Sequence, residues 1–363
     1  LSLPYLQPYF GLSNSLQTAQ AAAGGAGGSP AGGWVELGRT TLGTTGDTIN
    51  VSSLANKRYL MILNHNIATG SNYITWNFGN GSIDTGSNYA WRRQNDGGSD
   101  TTSVNATVIE QGAAIFADAM FGVNYISNLS NKEKLMLSWQ NYADTGAGTS
   151  PNRVEHAGKW VNTSVVIDQI RQRQPHTGDW LTGSEVVVLG WDPADTHTSN
   201  FWEELASVEL GADGDNLSSG TISAKKYLWV QAAIMTSSAG TNVKHEITFN
   251  NDTGSNYAQR YSYNGGADGT LTSRANWQLS AGSNNKGIAF LNFFIINNAA
   301  NEKLCIGHAA LSHIAGAGTV PRREEAVAKW ANTSNQITEI DIDQTLASID
   351  YKTGSIIKVW GAN

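Results

Sequence analysis

Asp84 and Asp252 stand in the same tetrapeptide, Asp-Thr-Gly-Ser, 168 positions apart. Two carboxylates held about 3 Å apart can share one proton, so that one activates water while the other donates a hydrogen bond. The flanks here are polar. Asn250-Asn251 precedes Asp252, Gly81-Ser82-Ile83 precedes Asp84, and Arg92 and Arg260 follow soon after. A turn accounts for the same residues, with the aspartate bonding its own backbone and glycine at positive φ. The expectation is therefore a scaffold turn, with no catalytic residue.

The enzymatic alternative is pepsin-like. That family is also two-lobed, with one Asp-Thr-Gly per lobe, and its downstream apolar-apolar-Gly element resembles Val188-Leu189-Gly190 and Val359-Trp360-Gly361. Asp84 and Asp252 would be its catalytic pair.

The other reactive side chains suggest packing. Asp84, Asp100, Asp252 and Asp268 could offer oxygen to calcium, but no loop has the spacing of an EF-hand or an RTX repeat, so no metal or other cofactor is expected. Arg153 and Glu155 match Arg323 and Glu325, ahead of Lys159-Trp160 and Lys329-Trp330. Such sets pair across strands and cover a tryptophan face by cation–π contact. His65, His156, His245 and His313 show no ligand spacing, and His308 occupies the slot that Trp139 fills in the first half. The single cysteine, Cys305, corresponds to Met136 and reads as a small buried hydrophobe. Trp160 and Trp330 read as core, whereas Trp76, Trp91 and Trp229 are candidate sugar platforms.

What must position these residues is a module written twice. Trp34, Glu36-Leu37, Asp84 to Ala90, Arg92, Gly97-Gly98 and Asp100 recur 168 positions later as Trp202, Glu204-Leu205, Asp252 to Ala258, Arg260, Gly265-Gly266 and Asp268. Asn88 and Asn256 belong to this string. The offset then drifts by single residues: Glu133-Lys134-Leu135 to Glu302-Lys303-Leu304, Lys159-Trp160 to Lys329-Trp330, Thr182-Gly183-Ser184 to Thr353-Gly354-Ser355. Collinear order with a slow drift marks a tandem duplication. The copies run from residue 34 to 191 and from 202 to 363, with 192–201 as a linker.

Within each copy, apolar residues alternate with period 2, as in Leu135, Leu137 and Trp139. Runs such as Tyr59 to Leu63, Tyr227 to Val230, Ile288 to Ile296 and Val186 to Leu189 are apolar on both faces and read as central strands. Clusters such as Asn95-Asp96-Gly97-Gly98 separate them. The expected fold class is all-β: two tandem homologous β-sandwich (jelly-roll-like) domains behind a flexible N-terminal arm. Residues 1–33 form that arm. Its apolar head carries Tyr5, Leu6, Tyr9 and Phe10, and an Ala/Gly spacer follows. Tethered this way, the head suits docking on a neighbour, the alternative being that it packs on its own domain.

Composition narrows the function. The net charge is −7 and no Lys/Arg cluster occurs, which argues against nucleic acid as a partner. No apolar run is long enough to span a membrane as a helix, and no basic n-region of a secretion signal is evident. One cysteine cannot form an internal disulfide, so no oxidising compartment is implied. The 39 glycines, with abundant Asn, Ser and Thr, suit short strands joined by tight turns.

The repeated string Asp-Thr-Gly-Ser-Asn-Tyr-Ala-X-Arg, followed by Gly-Gly-X-Asp, Gly-Ala-Gly-Thr-X-Pro and Lys-Trp-X-Asn-Thr-Ser, resembles repeat-built β-rich structural proteins of marine tailed bacteriophages. The resemblance spans both copies but not residues 1–33. It implies a non-enzymatic virion component, assembled in the host cytoplasm: a capsid decoration, a fibre or another surface protein. Its implied partners are itself, as a closed homo-oligomer such as a trimer, and other virion proteins through the arm. A double-jelly-roll capsid subunit and a glycan-binding adhesin are the further alternatives, the last with a surface glycan as partner.

Overall fold

The computed structural model describes residues 33–116, 119–195, 200–236, 243–279, 288–312, 316–344 and 349–363. The expected docking residues Tyr5, Leu6, Tyr9 and Phe10 lie outside the described residues.

The described secondary structure is β throughout. The first half carries β1 (Val35–Thr41), β2 (Thr48–Val51), β3 (Tyr59–Ile67), β4 (Ser71–Asn80), β5 (Ser82–Ile83), β6 (Tyr89–Asn95), β7 (Thr101–Ala106), β8 (Ile109–Phe116), β9 (Ala119–Ser127), β10 (Lys134–Ala143), β11 (Asn152–Trp160), β12 (Gln169–Arg173) and β13 (Glu185–Trp191). The second carries β14 (Glu203–Glu209), β15 (Asn216–Ser218), β16 (Tyr227–Met235), β17 (His245–Phe249), β18 (Tyr257–Tyr263), β19 (Gly269–Arg274), β20 (Trp277–Leu279), β21 (Ile288–Ile296), β22 (Lys303–Leu311), β23 (Arg322–Trp330), β24 (Ile340–Asp343) and β25 (Ile356–Ala362).

Each half is an antiparallel β-sandwich. The large sheets run β1-β13-β3-β9-β10-β11-β6-β7 and β14-β25-β16-β21-β22-β23-β18-β19, the same order strand for strand. The small sheets run β2-β12-β4, with β5 and β8 also on β4, and β15-β24-β17-β20. Even the irregularities repeat. Register shifts fall at Glu36/Gly38 and Glu204/Ala206, and again at Tyr89/Trp91 and Tyr257/Gln259. Bulges bend edge strands and so discourage edge-to-edge pairing.

Period-2 alternation decides which residues face which way. In the first sandwich Leu60, Ile62, Met120, Val186 and Val188 point inward onto Ile49, Ile74, Trp76 and Phe78 of the small sheet. The second sandwich packs Leu228, Val230, Leu291, Phe293 and Val359 onto Leu217, Ile247, Trp277 and Ile342. A third apolar cluster joins the two halves. The outer face of the first large sheet gives Leu63, Phe121, Val123 and Val187, and that of the second gives Tyr227, Phe294, Leu304 and Ile306. The two sandwiches thus meet through the outer faces of their large sheets. This explains why the central strands are apolar on both sides.

Candidate functional site

The repeated motif forms one small device in each sandwich. Asp84 Oδ1 accepts from the Gly86 amide at 2.8 Å, and the Asn88 amide group donates to both carboxylate oxygens at 3.1 and 2.9 Å. The indole Nε1–H of Trp160 donates to Asp84 Oδ2 at 2.8 Å. The second copy repeats this with Gly254 at 2.9 Å, Asn256 at 3.2 and 2.9 Å, and Trp330 at 2.7 Å on Asp252. Tyr89 and Tyr257 donate their hydroxyls to the backbone carbonyls of the two aspartates. A polar turn is thereby nailed to a tryptophan inside the core.

Neither carboxylate has the other among its hydrogen-bond partners. Each is hydrogen-bonded within its own sandwich, to the donors just named. Partial burial pushes both upward, but the indole, amide and backbone donors outweigh it and hold both below the usual carboxylate range. A dyad sharing a proton would instead raise one of its members.

A lysine covers each of these tryptophans. Lys134 lies 5.7 Å from the Trp160 ring centroid and Lys303 lies 5.7 Å from that of Trp330. Their ammonium groups donate to backbone carbonyls, among them Asn162 O at 2.8 Å and Asn332 O at 2.7 Å. Burial lowers both, Lys303 to about 8. The sequence pointed to Lys159 and Lys329 for this role. Those residues alternate with the tryptophans along β11 and β23 and fall on the opposite, outer face. The first pairs with Glu133 at 3.0 Å, the second with Glu302 at 3.6 Å.

The remaining expectations sort by burial. Trp76 is wholly buried between the sheets of the first sandwich, which corrects its reading as a sugar platform. Trp91 is half-buried beneath Arg93, 4.9 Å from its ring centroid. Trp229 is half-buried at the junction of the sandwiches, stacked on Phe294 at 5.5 Å. Cys305 is fully buried, as expected, and burial raises its thiol well above the ordinary value. His308 packs edge-on against Trp139 at 5.1 Å. No group of three or more His, Cys, Asp or Glu side chains suited to a metal ion occurs among the described residues.

No protein-family model matches the chain, and no curated protein matches its sequence. Among solved structures, similarity is found to domains LG4-5 of the mouse laminin alpha1 chain, at 13% identity over 92% of this chain and 90% of that one, with a TM-score of 0.19. Neisserial surface protein A is 8% identical over 78% and 96%, with a TM-score of 0.12. The translocator domain of the autotransporter NalP from Neisseria meningitidis is 7% identical over 91% and 94%, with a TM-score of 0.14. At such scores these likenesses carry no weight for fold or function, which rest on the geometry of the chain itself.

That geometry concentrates polar side chains where the sandwiches meet. Arg153 Nη2 lies 2.6 Å from Asp268 Oδ1, and Arg153 also pairs with Glu155. Arg260 reaches back to Asp96 at 3.1 Å and to the carbonyl of Pro151 at 2.9 Å. Asn141 donates to the carbonyls of Cys305 and Ala328 at 2.9 and 2.8 Å. Glu185 accepts from Lys226 at 3.0 Å and Tyr227 at 2.7 Å. Gly97 belongs to this junction, because a Cβ there would meet Asp268 Oδ1 at 2.5 Å. Asn141 and Glu185 carried no signal in the sequence: neither has a polar counterpart in the second copy, where Ala310 and Ile356 stand.

Sequence reasoning also missed a buried amide network inside the first sandwich. Gln172 and Asn66 exchange hydrogen bonds at 2.9 and 3.2 Å. Asn64 donates to Asn66 at 3.0 Å, Asn124 to Asn64 at 3.0 Å, and Gln111 to Asn124 at 2.9 Å. Trp76 and Gln140 donate to the Gln111 carbonyl oxygen. The matching strands of the second sandwich offer Ala232, Ile234, Phe293, Ala309 and Leu279 instead. Comparing the two copies position by position would have revealed it.

Proposed function

We propose that this chain is a non-enzymatic structural component of a virus particle, of the capsid-decoration, fibre or surface type, which assembles with itself and, through residues 1–33, with other particle proteins. The supporting observation is how its reactive side chains are employed. Asp84 and Asp252 anchor core tryptophans, and Asp268 and Arg153 fasten one sandwich to the other. Residues so committed stiffen a module; they are not free to turn over a substrate. A rigid acidic body of two sandwiches with bulged edge strands suits a protein displayed at high copy number.

Gradient-purified particles of the encoding virus test this reading. Mass spectrometry should find the chain in many copies per particle. Finding it in the lysate but not in the particles would remove the reading. A second assay addresses catalysis. Between about pH 2 and 6 the purified chain should leave an unfolded protein substrate intact. Cleavage that Asp84→Asn abolishes would reinstate the acid protease.

A further inference from the structure

The contact between the two sandwiches is unequal, and the inequality follows a simple pattern. Strand register lays the outer face of each large sheet in rows. In the first sandwich one row holds Tyr59, Ser127, Leu135 and Lys159, and three rows further on another holds His65, Phe121, Asn141 and Arg153. The second sandwich repeats them as Tyr227, Ile296, Leu304 and Lys329, then Ala233, Phe290, Ala310 and Arg323.

Exposure reverses between the copies. Leu135 is 56% exposed, whereas Leu304 in the same slot is 0% exposed. At the other end of the face, Phe121 is 1% exposed and Phe290 is 44% exposed. The charges follow suit. Arg153 is 4% exposed against Asp268 of the other sandwich, while its counterpart Arg323 is 63% exposed. The counterpart of Asp268 is Asp100, which pairs on the surface with Arg92 of its own copy.

A two-fold contact would bury equivalent residues equally. This contact is therefore heterologous: one end of the first face grips the opposite end of the second. It leaves two uncovered halves. The open half of the first sandwich (Tyr59, Leu135, Leu137), with Asp100 at the edge of the same face just before β7, has the character of the covered half of the second. The open half of the second (Ile288, Phe290, Arg323) has the character of the covered half of the first. Each open half presents exposed large apolar side chains, the mark of an unfilled protein–protein surface.

We propose that a second copy of this chain fills them: the open half of the first sandwich in one molecule docks on the open half of the second sandwich in its neighbour, repeating the contact that already joins the halves of each chain. Leu135, Leu137 and Tyr59 then take the environment that Leu304, Ile306 and Tyr227 have within a chain, and Asp100 turns from Arg92 to Arg323 of the neighbour as Asp268 turns to Arg153. Charge and apolar surface match at both open ends, and the interface continues one already present. Repetition yields a ring if the rotation closes and a filament if it does not. This deepens the assembly part of the proposed function by naming its surface. It stands or falls without the particle, because its test uses the purified chain alone.

Light scattering of the full chain over rising concentration should show a mass above the monomer. Leu137→Asp removes one half-site and Phe290→Asp the other, and each should weaken association by roughly 100-fold and leave monomer. Mixing the two variants leaves one intact half-site on each and should restore a one-to-one dimer that grows no further. Both positions are exposed, and circular dichroism confirms that each variant is folded; Leu137→Ser and Phe290→Ser are the milder pair should the acids unfold it. A monomeric wild-type chain overturns the proposal, as it would if another segment of the same chain covered these faces. Variants that still associate alone, or a mixture that stays monomeric, overturn it as well.

Discussion

Arg153 and Asp268 meet at 2.6 Å across a junction between two copies of one module, both almost wholly out of water. Removing one member of such a buried pair strands the other charge and costs about 3–5 kcal/mol. Asp268→Asn should therefore destabilise the chain by that order in chemical denaturation. The equivalent change, Asp100→Asn, breaks a pair exposed on both sides and should cost less than about 1 kcal/mol in the dissociated chain. Equal costs at the two positions would contradict the asymmetry of the junction.

The turn aspartates are predicted to act through tryptophan. Asp84→Ala leaves the indole N–H of Trp160 buried without an acceptor, a loss of about 1–3 kcal/mol, and Asp252→Ala should do the same through Trp330. The acid dependence has a definite sign. A carboxyl held below its unfolded value contributes stability that is complete above the unfolded value, about pH 3.9, and is lost as pH falls through the folded one. The gap between wild type and Asp84→Asn should accordingly be constant near neutrality and narrow only in strong acid. Melting temperatures across that range check it.

Buried histidines set a second, milder acid transition. Burial drives His65 and His156 down to about 3 and His245 and His308 to about 4, so all four are neutral in the folded chain. Once unfolded, each regains its ordinary value near 6.5 and takes up a proton below it. Stability should fall as pH drops from about 6.5 towards 4, with up to four protons bound on unfolding. Calorimetry in buffers of different ionisation enthalpy counts those protons, and a count near zero at pH 5 would refute the neutral assignment.

The amide network predicts an unusual outcome for a hydrophobic substitution. Gln111→Leu places in the first sandwich the residue that the second carries at Leu279, yet it takes the acceptor from the Trp76 indole N–H and the Gln140 amide N–H and the donor from the Asn124 carbonyl oxygen. The expected cost is about 3 kcal/mol, because stranded buried polar groups outweigh the added apolar burial. The melting transition of Gln111→Leu against that of the parent decides it.

The duplication, the all-β class and the two sandwiches were legible in the amino-acid order alone. Collinear repeats expose a copied module, and period-2 alternation with turn residues every few positions exposes strands. The aspartate turns were legible too, since Asp, Gly and Asn carry their conformational preferences with them. The tertiary structure decided what alternation could not. Leu135 and Leu304 sit in identical local patterns, and only the placing of one sandwich against the other leaves the first in water and buries the second. Trp76 misled for the same reason: an aromatic residue in a strand has two faces to choose from, and the partner sheet chooses. Local sequence specifies strands, turns and their apolar stripes. Which of two equal stripes is covered depends on contacts between residues more than a hundred positions apart, and no local preference encodes it.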